Sequence, residues 1–184
     1  MLRLRYLSLT ALSLLFSLFP LVLQAQDSPQ WRGPNRDGVI PSYTEPRTWP
    51  EQLKQKWQVN VGMGYSSPLL VGKDIFTFTR QGEQELVSCL DLDTGRVLWR
   101  NAYDAPYTVN PVARAHGKGP KSTPAFSLGR LFTLGIGGIL ASWDAKSGKL
   151  LWRREFSSEF KATSPDFGTA TSPIVDGKLV SCHD

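Results

Sequence analysis

The chain repeats itself. Leu90-Asp91-Leu92-Asp93-Thr94-Gly95-Arg96-Val97-Leu98-Trp99 lines up with Trp143-Asp144-Ala145-Lys146-Ser147-Gly148-Lys149-Leu150-Leu151-Trp152 at an offset of 53 residues. Asp, Thr/Ser, Gly, Arg/Lys, Leu and Trp coincide. A second element recurs three times, as Ser67-Pro68, Thr123-Pro124 and Ser172-Pro173, each ahead of a short apolar run. A unit of about 50 residues is the size of one four-stranded propeller blade, and no other single feature constrains the fold as strongly.

One unit reads as four strands. After Ser67-Pro68 the pattern predicts strands over Leu69–Val71, Ile75–Thr79, Leu86–Leu90 and Arg96–Arg100. The turns fall at Gly72-Lys73, Gln81-Gly82 and Asp93-Thr94-Gly95, where Gly takes positive φ and Asp bonds nearby amides. The second unit predicts strands over Ala125–Ser127, Arg130–Ile136, Ile139–Trp143 and Lys149–Arg154, with Gly135–Gly138 as a turn. A four-stranded blade has two apolar faces and needs a neighbour on each. Trp99 and Trp152, at the same place in the outer strand, are expected to dock on the next blade, burying the ring while the indole N–H finds a backbone acceptor. Trp57 reads as the same residue of an orphan outer strand.

The fold class is therefore all-β: a β-propeller of four-stranded blades with tryptophan-docking repeats, incomplete, with about three blades' worth present. Residues 1–25 read as a signal peptide, 26–53 as an N-terminal extended segment and 54–184 as a partial propeller. Within the propeller, 54–61 is the orphan strand, 66–102 and 122–155 are blades, and 171–184 is a truncated blade. A ring needs about four to eight blades, so a fragment of a longer parent is expected.

The first 25 residues carry Arg3 and Arg5, then an apolar run from Tyr6 to Leu23, then Leu23-Gln24-Ala25 as a cleavage site. Export to the periplasm or the extracellular space follows, with no membrane span once the signal is cleaved. A signal left uncleaved would act as an anchor. The formal charge of +5 falls to +3 without the two signal arginines, and no basic run remains to bind nucleic acid. Two Cys and two His exclude a disulfide scaffold and a zinc site of several ligands. Cys89 and Cys182 lie about two blades apart in order and read as buried free thiols. Gly117-Lys118-Gly119-Pro120-Lys121-Ser122 fails as a phosphate loop, because Pro120 lacks the amide a phosphate needs. His116 is the best polar candidate. With Arg114, Lys118 and Lys121 it lies on a rim connection that either faces a small anionic ligand or is a solvated loop whose His caps a backbone carbonyl.

At these residues the chain resembles the quinoprotein-like (PQQ-like) propeller repeat family, exported bacterial type, whose blades carry Ala-x-Asp-x-x-x-Gly-x-x-x-Trp. The motif stands here as Cys89, Asp91, Gly95, Trp99 and as Ser142, Asp144, Gly148, Trp152. Gln30-Trp31-Arg32-Gly33-Pro34-Asn35-Arg36-Asp37-Gly38 and His116–Pro124 also resemble segments of such proteins. The resemblance implies a non-catalytic interaction or scaffold platform whose partners are other proteins or a small ligand at the rim. Its alternative implication is a fragment of a pyrroloquinoline-quinone-dependent, alcohol dehydrogenase-like oxidoreductase. In that case PQQ with Ca²⁺ would belong to the full-length parent. The vicinal Cys-Cys pair of methanol-type enzymes is not in the sequence, and no Ca²⁺ ligand or catalytic base maps onto a matching motif.

Overall fold

The computed structural model describes residues 27–40, 43–160 and 165–182. The signal expected over residues 1–25 lies outside them. Two four-stranded antiparallel meanders follow one another in the chain. The first holds β1 (Leu69–Val71), β2 (Asp74–Gln81), β3 (Gln84–Asp91) and β4 (Val97–Asp104). The second holds β5 (Ala125–Ser127), β6 (Arg130–Leu134), β7 (Ile139–Asp144) and β8 (Leu150–Glu155). A further antiparallel pair, β9 (Ile174–Asp176) and β10 (Leu179–Ser181), opens a third unit beside β5. A 3₁₀ turn (Pro111–His116) and one short helix, α1 (Phe156–Phe160), lie in the connections between units.

The two blades share their irregularities as well as their strands. Each carries a register shift between third and fourth strands, at Cys89/Leu90 and at Ser142/Trp143. Each then turns in the same way. The Asp91 carboxylate accepts from the Thr94 amide at 2.8 Å and hydroxyl at 2.6 Å, and Asp144 does the same with Ser147 at 2.8 and 2.6 Å. Those bonds hold both carboxyls below the ordinary aspartate range. The turn-forming carboxylate is thus Asp91, one strand-end earlier than Asp93, where the turn pattern alone put it. Asp93 instead pairs with Lys56 and Lys73 on the surface.

The core lies in the seam between blades. Phe76 of β2 stacks on Phe126 of β5, and Tyr103 of β4 stacks on Trp143 of β7. Trp99 Nε1 donates across the seam to the Ala145 carbonyl at 3.2 Å, and its ring lies flat on Gly148. Trp57 repeats the arrangement one step back, donating to Leu92 at 2.9 Å with its ring on Gly95. Residues 54–61 form no ladder among the described residues, so the expected outer strand is absent there. A strand needs a hydrogen-bonded neighbour, and this segment is positioned by its indole instead.

The Ser/Thr-Pro anchors staple the blades at the opposite edge. The Ser67 amide donates to Thr123 Oγ1 at 3.1 Å, and the Thr123 amide donates to Ser172 Oγ at 2.9 Å. The Thr123 and Ser172 hydroxyls therefore each accept from the anchor one repeat earlier. Thr123 is buried, so Thr123→Val is expected to leave the Ser67 amide without that acceptor. Ser67 is exposed, so water can replace that acceptor, and the cost is about 0.5–1.5 kcal/mol, the net worth of one ordinary hydrogen bond, read from the denaturant midpoint at unchanged slope.

Candidate functional site

The rim formed by the connections between second and third strands, and between blades, gathers the polar residues singled out in the sequence. Asn110 caps the 3₁₀ turn that ends in His116, accepting from the Val112 amide. The loop is tied down on both sides. Lys118 Nζ meets the Glu83 carboxylate of the β2–β3 turn at 2.7 Å. Lys121 Nζ donates to the Phe167 carbonyl and lies over its ring, while His116 meets the same ring edge-on at 5.5 Å. Asn110 donates to Asp166 at 2.7 Å. Lys118 and Lys121 are thus bound to neighbouring loops, and only Arg114 and His116 of the four candidates stand exposed.

Beneath this rim lies a cluster that the sequence pattern did not single out. Arg80, Glu85 and Tyr103 sit opposite one another on β2, β3 and β4, forming one row across the sheet. The row faces blade 2, and Arg80 and Glu85 are both 0% exposed. Tyr103 Oη donates to Glu85 Oε2 at 2.7 Å, and the Ile136 amide of blade 2 donates to Oε1 at 2.9 Å. Arg80 donates to the Ala105 carbonyl at 2.7 Å and stands 3.5 Å from Glu85 Oε1. Arg80 Nε has no hydrogen-bond partner among the described residues. The period-2 alternation Phe76, Phe78, Arg80 carries the signal, since it places Arg80 on the core face. Next to a turn, however, an Arg and a Glu look like solvated residues. The same contact ends β6 at Leu134 instead of Ile136, because the Ile136 amide turns to the Glu85 carboxylate and leaves the ladder.

Burial pushes the Glu85 carboxyl above the ordinary glutamate value of 4.5, against the lowering effects of Tyr103, Ile136 and Arg80. A carboxyl whose pKa is raised on folding contributes stability that is complete below its unfolded value. That contribution is lost as pH rises through the folded one. Wild-type stability relative to Glu85→Gln is therefore expected to fall as pH climbs from below 4.5 towards neutrality, in paired denaturation curves. Burial and the neighbouring Asp74 and Asp91 carboxylates push the Cys89 thiol to about 12, which makes it an unreactive core residue. Cys182, just after β10, is half-buried, against the buried thiol expected. Cys89 and Cys182 share no disulfide.

The repeated turns, the indoles docked between blades and the four-stranded meanders define an all-β propeller built of PQQ-like repeats. Residues 83–184 match the family described as outer membrane protein assembly factor BamB, and the chain belongs to that family. Over 73 residues it is 34% identical to outer membrane protein assembly factor BamB of Moranella endobia (strain PCIT), covering 40% of this chain and 18% of that protein. The chain thus spans less than a fifth of that relative's length. Among solved structures it is similar to BamB from Moraxella catarrhalis, at 16% identity and a TM-score of 0.43, covering 67% of this chain and 34% of that one. It is also similar to a europium-containing methanol dehydrogenase, at 22% and 0.40, over 61% of this chain and 19% of the other. A quinohemoprotein alcohol dehydrogenase from Comamonas testosteroni aligns at 20% and 0.42, over 64% and 16%.

Ca²⁺ takes six to eight oxygen ligands, several of them carboxylates. Among the described residues no group of three or more His, Cys, Asp or Glu is placed to hold a metal ion. No helix among the described residues is long and apolar enough to cross a membrane.

Proposed function

We propose that this chain is part of an exported propeller that acts as a non-catalytic protein-interaction platform in the periplasm, as the relative's name, outer membrane protein assembly factor, suggests. The observation that carries the reading is a repeated exposed apolar position on the outer strands. Leu98 and Leu151 occupy the same place in the repeat, on β4 and β8, which are edge strands of their sheets. They are 43% and 42% exposed. Both are the bulged residues at the third-to-fourth-strand register shift, so they stand out as a repeated apolar contact that a partner's apolar surface can cover. The motif residues Asp91, Gly95, Trp99, Asp144, Gly148 and Trp57 serve blade geometry and docking, which makes the platform rigid. His116 and Arg114 remain as a secondary rim contact.

The test is genetic and chemical together. Loss of the chain is expected to lower the amount of folded outer-membrane β-barrel protein in its bacterium. Wild type restores that amount, and a folded Leu98→Asp, Leu151→Asp double variant does not. If barrel levels are unaffected by loss of the chain, and added PQQ with Ca²⁺ gives a saturable absorbance change and dye-linked alcohol oxidation, the oxidoreductase reading replaces this one.

A further inference from the structure

The first strands of the blades leave one edge open, since β1 pairs with β2, and β5 with β6, on one side only. Buried or converging backbone N–H and C=O groups on such an edge need partners. The chain supplies them from its own N-terminal region. Ser28 and Leu70 exchange both backbone hydrogen bonds, at 2.7 and 3.2 Å. The Asp27 carboxylate accepts from the Gly72 amide at 2.7 Å, closing the β1–β2 turn. One residue later the Pro29 carbonyl accepts from the Phe126 amide of β5, also at 2.7 Å. Leu70 and Phe126 hold the same place in the repeat, each two residues beyond its anchor proline. A single stretch of three residues thus engages equivalent positions of two successive blades.

The segment then reaches the third unit. Gln30 to Gly38 folds back on itself through Gly33 N to Gln30 O, Arg36 N to Gly33 O and Gly38 N to Arg32 O. The Arg32 and Arg36 guanidiniums both lie over the Trp31 ring, at 5.5 and 5.9 Å. The Arg36 guanidinium reaches the carbonyl of Pro173, the third anchor, at 3.5 Å. We infer that the converging first-strand edges are a strand-accepting site and that Asp27–Gly38 is a strap occupying it in cis. Any extended peptide that binds this face must displace the strap. The outer-edge reading proposed above does not depend on this site.

Backbone hydrogen exchange on the full chain tests the assignment. The Leu70 and Phe126 amides are expected to be protected in the unaltered protein. Ser28→Pro removes the amide that donates to Leu70 and should speed exchange at both sites by about tenfold, the factor one ordinary hydrogen bond implies. Protection of the β2–β3 ladder, at Phe78 and Val87, should hold. A synthetic peptide of Asp27–Gly38 added to that variant should restore protection at Leu70 and Phe126 saturably. Unprotected Leu70 and Phe126 amides in the unaltered chain would overturn the assignment. So would a peptide that leaves a folded variant's exchange unchanged. Asp27→Asn, a milder change, should speed exchange at Gly72 alone, and no effect there would count against the strap.

Discussion

Gly148→Ala is expected to lower the stability of the chain by about 3 kcal/mol or more, as a shift in denaturant midpoint at unchanged slope. Two costs combine. Gly148 sits at φ 72°, where an L-residue pays about 1–3 kcal/mol. Its new Cβ would also stand 2.3 Å from Cε3 of Trp99. The indole cannot yield by a few tenths of an ångström, because its N–H is tied to the Ala145 carbonyl and β4 holds its backbone. It must undock, losing that bond and the area buried on the turn. Gly72→Ala separates the two costs. Gly72 has φ 60° with nothing near a built Cβ, so it should show the backbone penalty alone, about 1 kcal/mol. Gly95→Ala should fall between the two. There the Cβ meets Trp57 at 2.6 Å, but residues 54–61 belong to no ladder and can lift without breaking a sheet. If the three substitutions cost the same, the docked indole is not what the repeat is built around.

The repeated residues were legible because each does one local job twice. Asp91 and Asp144, with Thr94 and Ser147, close turns whose chemistry is written within four residues, and Trp rests on Gly at two successive steps, Trp57 on Gly95 and Trp99 on Gly148. Trp152, expected to dock likewise, packs on Phe132 and stays 36% exposed. The Ser/Thr-Pro anchors, each followed by a short run, likewise placed β1 and β5 to the residue. What the pattern withheld is whatever another blade decides. Arg80 and Glu85 flank a two-residue turn and would be solvated in a lone hairpin. Blade 2 buries them. The same neighbour shortens β6 by drawing off the Ile136 amide. The Ser/Thr-Pro anchors were visible as a recurrence, but their hydroxyl relay appears only when three units stand side by side.

The rim shows the limit from the other direction. Arg114, His116, Lys118 and Lys121 look in sequence like one basic cluster facing a ligand. Packing of successive connections gives Lys118 to Glu83 and Lys121 to the Phe167 carbonyl. A cation in a long loop has no known partner until the adjacent loops are placed, and here those partners stand 35 residues earlier, at Glu83, and 46 later, at Phe167. The candidate ligand-facing charge shrinks to two exposed side chains, Arg114 and His116, whereas Leu98 and Leu151 on the outer strands, read only as strand residues in sequence, are 43% and 42% exposed.

Glu85→Ala is expected to cost about 3–5 kcal/mol, the range for breaking a buried ion pair by removing one partner. The substitution strips the acceptor from the Tyr103 hydroxyl and from the Ile136 amide, and leaves Arg80 buried with only the more distant Glu83 as counter-charge. Gly135→Ala should be nearly as damaging by a different route. Its φ lies outside the left-handed region, so the backbone tolerates alanine. The obstacle is that the Cβ would stand 2.0 Å from Glu85 Oε2. The carboxylate cannot swing away, because Tyr103 and Ile136 hold it in place. The two substitutions therefore share one cause and must be strongly non-additive. With Glu85 already truncated to alanine, Gly135→Ala meets no carboxylate, and the double variant should be no less stable than Glu85→Ala alone. Additive costs would mean that Glu85 does not reach across the seam, and blade 2 would then need another reason to place a glycine there.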